Sequence, residues 1–293
     1  MKKKIYLYLC GGLGNQLFQY AAARNLAILN NAELIIDIST GFITDFRDRR
    51  KFSLDILKLK DVRLKKLILV YIFFIIFKKI FKIKKLFNNF LFFNLINEME
   101  INYFEEKIKN FEFNRNLYLF GFFQSEKYFK ENKVKIIQEL IPSDPANKIF
   151  IDMKKIIVDC NSVSIGVRMY EDLPESIHSK LGGLTTLDFY KNAIKKIIDK
   201  VSNPVFFLFS TKNSNLSNLF SEILELKQYK SFIITDDNNF NGATENLWLM
   251  SHCKHHIISN SSLYWWAAYM STSRYNDQHI ICSNNFINKD TSY

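Results

Sequence analysis

"LYLCGGLGNQLFQYAAARNLA", residues 7–27, decides the fold. An apolar run of strand length enters a glycine-rich turn, and a helical run follows. Strand, glycine turn and helix in this order make the first step of a parallel α/β sheet, a layout that often cradles a phosphate. The chain starts "MKKKIYLYLCGG", basic and then apolar like a signal peptide. Because the apolar run is only strand-long and ends in a glycine turn, a first strand is expected there.

Gly12-x-Gly14 and Asp37, at the end of the next apolar run, satisfy a loose dinucleotide pattern, although Leu17 takes the place of the third glycine. Asn15 and Gln16 stand where the helix begins, with amides suited to sugar hydroxyls or phosphate oxygens. Asn15 can equally cap the helix, and the glycines can serve a tight turn alone.

Working outward, strands and helices alternate. "KIYLYL", "AELIID" and "NLYLFGFF" are expected strands, and residues 15–30 a helix. Residues 61–110, with lysines between apolar runs, are expected to be helical. "SEKYFKENKVKIIQEL" opens on Ser125 as an N-cap and runs as a helix, and "IPSDP" (141–145) breaks the chain. A second alternation follows: strands at "SVSIGVR", "PVFFLFS", "SFIIT", "HHIISN" and "HIICS", helices at "TLDFYKNAIKKIIDKV", "ATENLWLMSHC" and "SLYWWAAYM". Two α/β domains are expected, 1–142 with a basic helical insertion at 58–110, and 143–293, as two parallel sheets with a cleft between them. Cys10, Cys160, Cys253 and Cys282 are far apart without metal spacing, as expected of reduced thiols in a cytoplasmic protein.

The net charge of +11 is unevenly placed. Residues 1–142 carry 25 Lys/Arg against 14 Asp/Glu, and residues 143–293 carry 15 of each. Lys58 to Lys85 alone holds ten basic residues and one acid, Asp61, around the eleven apolar residues "LILVYIFFIIF" (67–77). That run is too short to span a bilayer, which needs about 20 residues. It reads either as a buried helix or as a monotopic one with Lys78, Lys79, Lys82, Lys84 and Lys85 on anionic lipid, peripheral at the inner membrane face. Its aromatics are not spaced as stacking platforms, so nucleic acid is not expected as a partner.

The opening stretch resembles the N-terminal signature of the bacterial α-1,2-fucosyltransferases, glycosyltransferase family 11. "LFGFFQSEKYF" (119–129) is similar to that family's aromatic-Gly-aromatic-Phe-Gln segment. "SVSIGVRMYED" (162–172) occupies the place of its His-x-Arg-Arg-Gly-Asp motif, and "CKHHIISNSSLYWWAAYM" (253–270) is similar to its Ser-Asn-Ser-Ser…Trp-Trp-Ala-Ala block. The four stretches lie in the family's order over nearly the whole chain. The arginine motif departs: the family's His falls on Gly166, its arginines on Arg168 and Met169, its Gly on Tyr170 and its Asp on Glu171.

The resemblance implies a GT-B-like fold, two Rossmann-type domains facing each other across a cleft, with the acceptor on the first and GDP-fucose on the second. It implies inverting transfer of L-fucose from GDP-fucose to the 2-hydroxyl of a galactose in a cell-surface glycan. Such a transfer must remove the acceptor proton and stabilise the departing diphosphate. Arg168, ending a strand, matches phosphate oxygens by its fork. Ser259, Asn260, Ser261 and Ser262 run from a strand end into a helix and suit an anion, or simply cap it. Ser210 ends a strand in the same way. With Gly12, Gly14, Asn15 and Gln16 these are the expected donor-binding residues. Glu171, with Asp172 beside it, is the candidate base. Trp265 and Trp266 are expected to pack on the sheet, with one indole open to the nucleotide. No Asp-x-Asp motif occurs, Asp236 and Asp237 read as a turn, and neither metal nor further cofactor is expected. Two other readings stay open: a nicotinamide-dependent oxidoreductase built on Gly12, Gly14 and Asp37, and an inactive sugar-nucleotide-binding subunit.

Overall fold

The computed structural model describes residues 3–284 apart from 44, 47–48, 56, 68–86, 90–92, 99–103, 169–184, 211–215, 217–218 and 220. The chain divides between Leu140 and Ile141 into two compact units.

In the first unit β1 (Lys4–Tyr8) leads into α1 (Leu13–Leu29) and β2 (Glu33–Asp37). β3 (Val62–Lys65), β4 (Phe87–Asn89), β5 (Phe93–Asn97), β6 (Asn116–Phe120) and α2 (Lys133–Leu140) follow. The sheet order is β3-β2-β1-β6-β5-β4, parallel except for the β4–β5 pair. β1 and β6 alternate as half-buried strands do. Ile5, Leu7, Leu117 and Leu119 are fully buried, while Tyr6 stacks on Tyr118 at 4.7 Å and Tyr8 on Phe120 at 5.1 Å. The α1 helix carries an interior ion pair to α2. Arg24 donates to Glu139 at 2.8 and 2.9 Å, and the Tyr20 hydroxyl donates to the same carboxylate at 2.7 Å. Burial, then Glu139, pushes the Tyr20 phenol well above its ordinary range.

The helical expectation for 58–110 is corrected where residues are described. Val62–Lys65, Phe87–Asn89 and Phe93–Asn97 are strands of the main sheet, with Leu34 opposite Val62 and Leu95 opposite Tyr118. Backbone pairing to β2 and β6 overrides a periodicity that short apolar runs leave ambiguous. The apolar stretch 67–77, beyond Leu67, and the lysines 78–85 lie outside the described residues. The helix expected from Ser125 starts as two 3₁₀ turns, Glu126–Tyr128 and Lys130–Asn132, before α2. Ser125 does cap the first of them, accepting from the Lys127 N–H.

The second unit opens with α3 (Lys148–Val158), which sequence reading missed after the proline break and which Asn147 caps. Then come β7 (Asn161–Gly166), α4 (Leu187–Ile198), β8 (Pro204–Phe209), β9 (Ser231–Ile234), α5 (Ala243–Met250), β10 (His255–Ile258), α6 (Ser262–Ser271) and β11 (Ile280–Cys282). The sheet is parallel throughout, in the order β11-β10-β7-β8-β9. Near-continuous apolar strands fit a sheet buried on both faces. Val163, Ile165, Phe206, Leu208 and Ile257 pack with Tyr190, Ala193, Ile194 and Ile197, the apolar stripe of α4. Each buried Val, Ile, Leu or Phe among them contributes about 1.5–3 kcal/mol by leaving water. Trp266 is fully buried, and the half-buried Trp265 stacks on Tyr269 at 4.6 Å.

Candidate active site

Open parallel sheets bind ligands outside the carboxyl ends of their strands, where the strand order reverses. In the second unit β8 and β9 extend one way from β7, while β10 and β11 extend the other. The reversal lies between β7 and β10, and the residues leaving those strands are Val167–Arg168 and Ser259–Ser262. Strand topology thus brings together Arg168, Asn260, Ser261 and Ser262, with Ser210 one strand over on β8.

Two tyrosines fix the backbone that presents Arg168. The Tyr190 hydroxyl, from α4, accepts from the Arg168 N–H and donates to the Gly166 carbonyl, both at 3.2 Å. The single proton of the Tyr264 hydroxyl, from the first turn of α6, is shared between the Val167 carbonyl at 3.2 Å and the Phe209 carbonyl at 3.3 Å. A Cβ on Gly166 would stand 2.4 Å from the Tyr264 ring, so a side chain here would force that ring to shift. The Arg168 side chain itself is exposed. Ser261 occupies the N-cap of α6 and its own side chain makes no cap hydrogen bond. Asn260 and Ser261 are buried, and Ser210 is 7% exposed, its N–H bonded to Ile234. Glu171 and Asp172 lie outside the described residues, as do Met169 and Tyr170.

In the first unit the reversal lies between β1 and β6. Here the opening stretch meets "GFFQ": the Gln124 amide donates to Asn15 Oδ1 at 2.7 Å. Gly11, at φ +76°, leaves room for the Asn15 amide, which would be 3.0 Å from a Cβ there. A side chain on Gly12 would head toward the Arg50 guanidinium, 3.9 Å from its Cβ. Gly14 is buried inside the first turn of α1.

Gln16 is corrected: its amide is spent on the protein. Its Nε2 donates to Gly11 and Lys51, both at 2.8 Å, and its Oε1 accepts from Ser53 at 3.0 Å. It is fully buried and pins the 51–53 loop to the glycine turn. Gln19 does the same for Cys10, bonding both its N–H and its carbonyl.

Asp37 is likewise occupied. Its carboxylate accepts from the N–H and hydroxyl of Ser39, from the N–H and hydroxyl of Thr40 and from Leu67 N–H. Four of these five bonds converge on Oδ1, so the carboxylate is committed to holding its own turn, a structural role that accounts for an acid at this place without a ribose. Asp236 and Asp237 form the turn expected of them, closed by Asn239 at φ 66°. Burial pushes the Cys10 thiol up to about 11, and His256, buried and bonded to Ser164, is pulled down to about 3. Neither group is a nucleophile or base for this chemistry.

Sequence reading missed Gln19, Tyr190, Tyr264 and Glu98. Glu98 follows β5, is 4% exposed and accepts through Oε2 from Phe122 and Phe123 N–H at 2.8 and 3.2 Å. Among the described residues no three His, Cys, Asp or Glu side chains stand together as metal ligands, and no helix is long and apolar enough to cross a membrane.

Comparison with known proteins gives the same direction. The family model described as Glycosyl transferase family 11 matches residues 4–290. The chain is 32% identical to an Escherichia coli α-1,2-colitosyltransferase over 89% of this chain and 86% of that one. It is 27% identical to the E. coli O-antigen biosynthesis glycosyltransferase WbnK, over 92% and 90%. In fold it is similar to the NodZ α-1,6-fucosyltransferase of Bradyrhizobium, TM-score 0.50, 13% identity, covering 92% of this chain and 93% of that one. That α/β, GT-B-like fold, the two reversal points and the match over nearly the whole length converge: the chain belongs to glycosyltransferase family 11.

Proposed function

We propose that the protein transfers L-fucose from GDP-fucose to the 2-hydroxyl of a galactose in an O-antigen-type or related cell-surface glycan, with inversion. The observation that carries this reading is the clamp on the turn after β7, in which Tyr264 of the first turn of α6 and Tyr190 of α4 fix the main chain that presents Arg168. A guanidinium and a helix N-terminus suit a diphosphate and stabilise the charge that grows on it as the glycosidic bond breaks. The second unit is then the donor side and the first the acceptor side, where Asn15, Gln124 and Arg50 surround the β1/β6 reversal. The structure solved for NodZ was soaked with GDP-fucose, which supports a GDP-linked donor. With guanidinium and helix terminus holding the leaving group, the transfer needs no metal.

The 32% identity to a colitosyltransferase favours a second donor for the same reaction. Colitose is L-fucose without its 3-hydroxyl, so the two donors differ by one polar group. A site that hydrogen-bonds that hydroxyl rejects the analogue lacking it by 10⁴–10⁵-fold, order of magnitude, whereas an apolar site barely discriminates. The test is transfer of labelled fucose and colitose from their GDP forms to a panel of galactose-terminated acceptors, with and without EDTA. Transfer of fucose that persists in excess EDTA is expected. Exclusive use of GDP-colitose would replace the donor. Activity lost in EDTA and restored by Mn²⁺ or Mg²⁺ would overturn metal independence. Neither transfer nor hydrolysis of either donor would leave the inactive-subunit reading.

A further inference from the structure

The turn after β6 sends consecutive residues in different directions. Phe122 is 37% exposed, whereas Phe123 is fully buried, its ring edge-on to Tyr128 at 5.6 Å. Gln124 is half-buried and bonded to Asn15. Phe123 holds φ 50°, an uncommon conformation for a bulky residue and one that surrounding structure must enforce. Glu98 enforces it from β5, accepting the N–H groups of Phe122 and Phe123 at 2.8 and 3.2 Å. Gly121 makes room for that side chain, since a Cβ there would lie 2.5 Å from Glu98 Cβ. The Ser125 N–H closes the turn on the Phe123 carbonyl at 2.8 Å.

Core packing accounts for Phe123, and the bond to Asn15 accounts for the Gln124 amide nitrogen. Neither accounts for an aromatic ring turned to solvent at Phe122, nor for Gln124 Oε1, which makes no hydrogen bond among the described residues. Both residues stand at the carboxyl edge of the first sheet beside the β1/β6 reversal, where open parallel sheets take their ligands. Two positions apart, their Cα atoms are separated by at most about 7 Å, comparable with one hexose. An aromatic face next to an amide matches a sugar ring that is apolar on one side and hydroxylated around its rim. Galactose is such a ring, because its axial 4-hydroxyl leaves the opposite face lined by C–H groups.

We propose that Phe122 is the platform on which the acceptor sugar stacks and that Gln124 Oε1 accepts one of its hydroxyls, so that this turn selects galactose over its 4-epimer. Glu98 and Gly121 hold the turn that presents them. The proposal rests on the first unit binding the acceptor, and it uses residues of that unit alone.

The test measures transfer from GDP-fucose to methyl β-galactoside and methyl β-glucoside by wild type, Phe122→Ala, Phe122→Tyr and Phe46→Ala. GDP affinity and thermal unfolding are measured alongside. Phe46, 85% exposed on the loop after β2, is the control for an exposed ring outside the platform. Phe122→Ala is expected to unfold at the wild-type temperature and to bind GDP unchanged. Its KM for the galactoside should rise about 10–100-fold with kcat little changed, and its preference for galactoside over glucoside should fall. Phe122→Tyr keeps the ring and should restore the KM, while Phe46→Ala should leave it unaltered. An unchanged KM in folded Phe122→Ala, a loss confined to kcat, a loss of GDP affinity or an equal rise in Phe46→Ala would each overturn the proposal. Saturation-transfer NMR on wild type without donor is a readout independent of transfer and of any substitution. With the protein's aromatic protons irradiated, the protons on the galactoside face opposite the 4-hydroxyl should receive most of the saturation. Even saturation around the ring, or no binding, overturns the platform even where Phe122→Ala misfolds. Absence of transfer by wild type would instead sink the functional reading, leaving the face-selective saturation to judge Phe122.

Discussion

The main chain at Arg168 is fixed by the Tyr190 hydroxyl, and its side chain is exposed; the proposed role in holding the diphosphate belongs to that side chain. Arg168→Ala should fold like wild type, because the Tyr190 and Tyr264 bonds run to main-chain atoms. Its kcat should drop about 10²–10³-fold, the usual cost of removing one electrostatic clamp. Arg168→Lys should recover little, since an ammonium offers a point charge where a fork is needed. A folded Arg168→Ala with unchanged turnover would remove the residue from the site. Gly166 carries a second prediction. The family's histidine falls here, and the Tyr264 ring occupies the space that a side chain at 166 would need. Gly166→Ala should destabilise by about 1–3 kcal/mol through overpacking. The cost should shrink in a Tyr264→Ala background, as a double-mutant cycle of urea midpoints would register. Independent, additive effects would mean the ring is not what the glycine makes way for.

At this scale the sequence disclosed residue types but not their partners. Asn15 and Gln16 are neighbours in one amide-rich turn, yet one bonds across 109 positions to Gln124 and the other to the glycine turn and the 51–53 loop. Glu98 carries no local signal, because its neighbours Phe122 and Phe123 come from another strand end.

Among elements, the long apolar strands and the amphipathic α4 were legible because burial imposes period and composition directly. The edge of the first sheet was not. β3 reads "VRLK", with Arg63, Leu64 and Lys65 exposed, and charged short edge strands are how sheets avoid pairing with strangers. Such a strand carries no alternation of its own and takes its identity from β2. The α1–α2 ion pair yields the prediction for this scale. Arg24 and Glu139 are 5% and 2% exposed in their side chains, so removing one leaves the other's charge buried. Arg24→Ala should cost about 3–5 kcal/mol. Arg24→Met with Glu139→Leu should recover much of that loss, because two apolar groups leave no orphaned charge. The check is the denaturant midpoint of each variant; equal stability of Arg24→Ala and wild type would show the pair is dispensable.

For the whole molecule, the +11 charge is the feature that neither the sheets nor the candidate site uses. Ion pairs such as Arg63 with Glu33 at 2.5 Å and Arg24 with Asp61 at 3.3 Å leave that excess unchanged, since their acids are already counted in it. The lysines at 78, 79, 82, 84 and 85 follow an apolar run, and we propose that they contact an anionic membrane surface, the alternative being that they only keep the segment soluble. Each lysine near such a surface contributes about 1 kcal/mol. Sedimentation with liposomes should therefore need anionic lipid, weaken with salt and fall when the five lysines become glutamine. Turnover on a soluble galactoside should be little changed by those substitutions. Sedimentation indifferent to lipid charge, or none at all, would leave the lysines as a solubility device.

The position of β6 between β1 and β5 has a consequence during synthesis. β1, α1, β2 and β3 all precede it, so the strand that seals the open side of β1 leaves the ribosome after every residue up to Asn116. At about 5–20 residues per second, that side of Tyr8 waits roughly 5–20 s for its partner. Throughout that interval a nascent chain with a formed α1 still presents an unsatisfied row of backbone donors and acceptors, a template for any passing strand. A holdase that covers that row, or slow codons placed after residue 120, would be expected to raise the soluble yield of this protein more than any change at its active site.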